Sequence, residues 1–129
     1  MRKISELYVI LEDVPGTVRE LFRLLKKKKI SIYAVGLFID TARLHVSDPQ
    51  KALEVIQENG YVVELREVIR LELVNKLGAL YEIAHKVANA GININNLYGA
   101  VGEKDTNGVI IMETDNIPLT LDIFKNDQF

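Results

Sequence analysis

"LEDVPGTVRELFRLLKKKKISI" (Leu11–Ile32) is followed, 62 residues on, by "LVNKLGALYEIAHKVANAGINI" (Leu73–Ile94). Few residues are identical across the pair: Leu11/Leu73, Gly16/Gly78, Glu20/Glu82, Ile30/Ile92 and Ile32/Ile94. The apolar pattern matches better. Val18, Leu21, Phe22 and Leu25 recur as Leu80, Ile83, Ala84 and Val87. Both sets follow the i, i+3, i+4, i+7 spacing that puts one apolar face on a helix. A strand-like run leads into each glycine and a helix-like run leads out, so the chain reads as an internal duplication.

Working outward, the first copy predicts a strand at "ELYVILE", a helix from about Gly16 to Lys28, and strands at "ISIYAVGLFI" and "ARLHVS". Asp48 and Pro49 suit the cap and first position of a second helix, which stops at Gly60. The strand "YVVELRE" closes the unit. The order β-α-β-β-α-β is the ferredoxin-like split βαβ. The second copy runs "VIRLELV", "ALYEIAHKVANA", "NINNLYGAV", the hairpin loop "GEKDTNG" and "VIIMETD", then "IPLTLDIFKNDQF" with at most a short helix. The expected fold class is therefore α+β: two tandem ferredoxin-like units, 1–67 and 68–129, packed as one compact body, the second truncated at its C-terminal strand. Its first strand would then have an open edge near Val68–Val74, and such edges are ordinarily paired or covered. Another segment or another subunit is expected there.

Size and composition bound the function. The 129 residues are 48% hydrophobic and 26% charged, which suits a soluble chain with a real core. The net charge of −2 argues against general nucleic-acid binding, which needs a basic face. The basic run Lys26–Lys29 ends a predicted helix, where cations offset the dipole. The chain has no cysteine, so disulfides, thiol catalysis and thiolate metal sites are out. No apolar run approaches a membrane span, and "MRKISELYVI" lacks the marks of a signal peptide. A cytoplasmic protein with no membrane partner is expected.

The residues offer little for catalysis. His45 falls in a predicted strand and His85 in a predicted helix, neither in a nucleophile or metal spacing. The carboxylate pairs Glu12/Asp13 and Glu103/Asp105 sit at turns, where acidic residues are common. An acylphosphatase-like reading would want an arginine in the first loop, and neither "DVPG" nor "NKLG" supplies one. No enzyme, metal or cofactor is expected. What remains is the matched pair of strand-to-helix junctions. Each exposes unpaired backbone N–H groups that favour an anion such as a carboxylate. The structural alternative is that Asp13 and Asn75 merely cap the two helices.

These junctions resemble those of the ACT domain. "DVPGTV" matches the family's turn closely, and "NKLGAL" followed by "AGININ" matches it well, Leu77 replacing the usual proline. The resemblance covers almost the whole chain as two tandem units. It implies a regulatory module that binds a small molecule, usually an amino acid, at an interface between paired units. Carried over residue by residue, the ligand-binding positions are Asp13, Val14, Pro15 and Gly16 in the first turn, and Asn75, Lys76, Leu77 and Gly78 in the second. Ser31 and Asn93, at the start of the second strands, would complete the site. Asn75 would then face Ser31, and Asp13 would face Asn93. The amide of Asn75 both donates and accepts, whereas Asp13 only accepts and would repel a ligand carboxylate. The resemblance further implies a homodimer or higher homo-oligomer, and a separate metabolic enzyme as partner. The alternative is an interaction module, or a regulatory subunit of an amino-acid biosynthetic enzyme, that binds no ligand.

Overall fold

The structure is a computed structural model that describes residues 1–74, 76–103 and 106–127. The chain runs β1 (Arg2–Ile10), α1 (Thr17–Lys27), β2 (Ile32–Leu37), β3 (Thr41–Val46), α2 (Pro49–Glu58), β4 (Val63–Leu73), α3 (Ala79–Asn89), β5 (Ile94–Ala100), β6 (Gly108–Thr114) and α4 (Ile117–Ile123). It divides into two compact units. The first is Ser5–Arg66, and the second joins Met1–Ile4 to Glu67–Phe129. The runs expected as two strands, "YVVELRE" and "VIRLELV", form the single strand β4. Nothing between Glu67 and Val68 breaks an extended chain: there is no glycine or proline, and β-branched residues continue through the junction.

In the first unit the strand order is β2-β3-β1-β4. β3 pairs antiparallel with β1, Leu7 opposite Leu44, and with β2, Val35 opposite Leu44. The Ile10 N–H donates to the Val62 carbonyl at 3.0 Å. Alternation puts Leu7, Val9, Ala42, Leu44 and Val46 on one face, where they pack with Leu21 and Leu25 of α1 and Ala52 and Ile56 of α2. α1 ends as its lysines suggest, with Lys26 and Lys27 in the last turn and Lys29 at φ 60. The Lys51 ammonium donates to the exposed Lys28 carbonyl at 3.1 Å. Asp48 caps α2, accepting from Lys51 N–H at 3.1 Å, with Pro49 in the first turn.

The second unit repeats this plan in the order β1-β4-β6-β5. The first residues of β1 occupy the place of its missing last strand, beside β4. Lys3 of that segment pairs with Glu67 at 3.2 Å, and Met1 packs on the core. β4 and β6 are antiparallel, Ile69 opposite Met112. The core joins Ile69, Leu71 and Leu73 to Ile110 and Met112, to Ile83 and Val87 of α3, and to Ile117 of α4. Leu80 is 40% exposed and Ala84 is exposed, so the buried stripe of α3 is narrower than the sequence pattern suggests. The loop "GEKDTNG" joins the antiparallel pair β5–β6; its Lys104 and Asp105 lie outside the described residues. Beyond Asp115, "NIPLTLDI" repeats the cap of α2: Asn116 accepts from Leu119 N–H at 3.0 Å.

Candidate functional site

At the first turn, Asp13, Val14, Pro15 and Gly16 are all exposed. Gly16 is the residue that caps α1, at φ 90, and no side chain caps it. The Thr17 N–H points back to the Val14 carbonyl at 3.4 Å, and Glu20 N–H to the Gly16 carbonyl at 3.0 Å. At the second turn the bonds recur at the same offset: Ala79 to Lys76 at 3.1 Å and Glu82 to Gly78 at 2.9 Å, with Gly78 at φ 86. Asp13 is therefore not the helix cap. The left-handed backbone at each glycine, which a Cβ would strain, starts the helix instead. Asn75 lies outside the described residues. Lys76 is exposed and Leu77 is fully exposed, at the place where the first turn has Pro15.

Ser31 and Asn93 are exposed and precede β2 and β5 by one residue. Each is clamped by the residue before the next helix cap. The Ser31 N–H donates to Ser47 Oγ at 3.0 Å and the Ser47 N–H to the Ser31 carbonyl at 2.9 Å. Likewise Asn93 N–H donates to Asp115 Oδ1 at 3.0 Å and Asp115 N–H to the Asn93 carbonyl at 3.1 Å. The Asn93 amide also donates to Asn95 Oδ1 at 2.8 Å. Sequence reasoning missed Ser47 and Asp115. Their signal was available, since each directly precedes a short polar residue and a proline-bearing helix start.

The two turns differ in the clefts beside them. Next to the first turn, about 470 Å³ is lined by residues that include Glu12, Thr17, Glu20, Asn59 and Tyr61. Arg23 grips Glu20 through two bonds, at 2.9 and 2.6 Å. These bonds hold the Glu20 carboxyl below the usual carboxylate range and raise the Arg23 guanidinium. Burial, with the Glu20 charge second, pushes the Tyr61 phenol up. At the second turn, about 390 Å³ is lined by Lys76, Leu77, Gly78, Ala79, Leu80, Tyr81 and Val101. With Glu20 held by Arg23, the Glu12 carboxylate remains in the first cleft and suits a cation. The second joins a lysine to a helix start, which suits an anion. Ser31 and Asn93 line neither cleft.

Neither histidine lines the cleft beside either turn. His45 is buried, with its ring edge-on to Tyr33 at 5.3 Å between centroids. His85 is exposed and stacked on Tyr81 at 5.5 Å. Among the described residues no three His, Asp or Glu side chains gather in a way that could hold a metal ion. Among the same residues no helix is long and apolar enough to cross a membrane.

A family model described as an ACT domain pair matches residues 2–128. Among solved structures, protein BT0572 from Bacteroides thetaiotaomicron superposes with a TM-score of 0.85 at 23% identity, over 96% of this chain and 88% of that one. The ligand-free regulatory subunit of aspartate kinase from Thermus thermophilus gives 0.68 at 15% identity, over 99% and 95%. Aspartokinase III of E. coli, in complex with lysine and aspartate, gives 0.59 at 15%, over 97% of this chain and 31% of that one. No curated protein matches by sequence.

Proposed function

The chain belongs to the ACT domain pair family, and from that premise we propose that it is a non-catalytic regulatory protein that binds a small molecule of the amino-acid class. The observation that carries this reading is the second turn. Its Gly78 backbone, at φ 86, opens a helix start beside Lys76, in a cleft whose charge favours a carboxylate. Asn75, directly before Lys76 in the chain, supplies an amide that can donate to a carboxylate or accept from an ammonium group. Val14, Pro15 and Gly16 present the corresponding backbone in the first turn, beside the carboxylate of Asp13. Ser31 or Asn93, from a unit paired in a homo-oligomer, completes the contact. The protein works in the cytoplasm and acts on a metabolic enzyme.

A thermal-shift screen of the proteinogenic amino acids tests this. Ligand at about 100 times its Kd stabilises the folded state by about 2.7 kcal/mol, which reads as a rise of several degrees in Tm. Asn75→Ala should remove the response while leaving the unliganded Tm in place. No shift with any amino acid overturns the ligand reading. If an enzyme of amino-acid biosynthesis then copurifies, the chain is an interaction module instead.

A further inference from the structure

The second unit holds another cleft, of about 610 Å³, between α3 and the segment that follows α4. This volume is within the range of small-molecule sites. One wall is a ladder on α3. Tyr81, His85 and Asn89 are four residues apart and share a helix face. The Tyr81 and His85 rings lie within 19° of parallel, with centroids 5.5 Å apart, and the Asn89 amide nitrogen holds His85 Nε2 at 3.1 Å. Tyr81 is nonetheless 69% exposed. The fold does not demand these rings. At the matching positions of α1 the first unit has Arg19, Arg23 and Lys27.

The charged residues of the lining decide the charge of an occupant. Lys86 sits 5.1 Å from the centroid of buried Phe124 and is tied to Asp127 at 2.7 Å. That cation is already neutralised, and Glu82 adds a further carboxylate to the lining. An anion is therefore disfavoured. Flat rings, the amides of Asn89 and Asn126, and a lack of net positive charge together fit an uncharged, planar, nitrogen-bearing ring. Bases stack on aromatic side chains and exchange paired donors and acceptors with amides.

We propose that this cleft binds a free nucleobase or nucleoside, stacked on the Tyr81–His85 wall. A nucleic-acid strand is the wrong occupant, because its phosphates would meet Glu82 and Asp127 on a chain of net charge −2. The experiment titrates the full chain with adenosine, guanosine, cytidine, uridine, AMP and oligo(dA), following backbone amide resonances by NMR. At least one nucleoside should give saturable shifts confined to α3 and residues 124–127, with AMP weaker and oligo(dA) silent. Tyr81→Ala should weaken that binding about tenfold or more, and Tyr81→Phe should leave it. The exposure of Tyr81 means that Tyr81→Ala keeps the parent Tm, which is measured alongside. No saturable nucleoside shift overturns the proposal. So does unchanged affinity in Tyr81→Ala, or binding of AMP or oligo(dA) tighter than the nucleosides. An amino-acid response at the turns would survive any of these outcomes.

Discussion

The sheet faces turned away from the helices differ between the two units, although the backbones match. In the first unit Leu7 lies opposite Leu44; in the second Ile69 lies opposite Met112. On that alignment Glu6 corresponds to Val68, and Arg43 to Ile111. Glu6 and Arg43 form an ion pair at 2.9 Å, with Glu6 0% and Arg43 8% exposed. Val68 and Ile111 are 0% and 1% exposed. Two matching backbone positions are thus filled by charge in one copy and by hydrocarbon in the other. Tyr8 extends the charged version, since Arg43 and Arg66 lie 5.0 and 3.7 Å from its ring centroid.

The lesson is that strand register does not dictate the chemistry of a buried layer, and that a half-changed layer is the worst of the options. Removing one member of a buried pair leaves an uncompensated charge, at about 3–5 kcal/mol; exchanging both for hydrocarbon is often neutral or stabilising by about 1–4 kcal/mol. Glu6→Val alone should therefore lose about 3–5 kcal/mol in urea unfolding. Glu6→Val with Arg43→Ile, which copies the second unit, should recover it. A single variant as stable as the parent would break the comparison.

The turns show the reverse, with one backbone solution in both copies and different side chains around it. Gly16 and Gly78 hold φ values of 90 and 86. An alanine Cβ would lie 3.3 Å from the mobile end of Arg19 at Gly16 and would meet nothing within 4 Å at Gly78. Strain from the left-handed backbone should then dominate, so Gly16→Ala and Gly78→Ala should each lose about 1–2 kcal/mol. Thermal unfolding of the pair checks this. A loss at one turn only would sharpen the comparison, marking the other as able to relax.

That backbone was legible in the sequence because it depends on residues a few positions apart. Glycine, the preceding polar residue and the apolar stripe recur at one offset. Asp48 with Pro49 was legible for the same reason. The α4 cap, though its polar residue and proline are present, did not follow from the repeat, because the β5–β6 loop is longer than the β2–β3 loop. Past Ile94 the copies fall out of the 62-residue step, so Asn116 no longer aligns with Asp48 on it. Asp13 looked like a cap because its type suits one, but the glycine three residues later takes the position. Glu6 with Arg43 lay out of reach for another reason. The partners are 37 residues apart in the chain, and only the pairing of β1 with β3 brings them together. The use of β1 to flank β4 is equally non-local, and strand composition carries no sign of it.

The smallest expected effect separates the two helices after the turns. Glu20 and Glu82 occupy matching positions, but three residues on the first helix has Arg23 and the second has His85. The bonds from Arg23 depress the Glu20 pKa below its ordinary value. A depressed carboxyl pKa adds stability above the unfolded-state pKa, and that stability is lost as pH falls through the folded-state value. The pair is exposed, so the gain is slight, and the carboxyl titration is the better readout. Followed by NMR, Glu20 should titrate below the ordinary glutamate range. Arg23→His, which copies the second unit, should raise its midpoint, because an imidazolium, the form present in that pH range, cannot repeat the two-bond grip of the guanidinium on one carboxylate. An unmoved midpoint would mean that the first helix owes its charge pattern to something other than this pair.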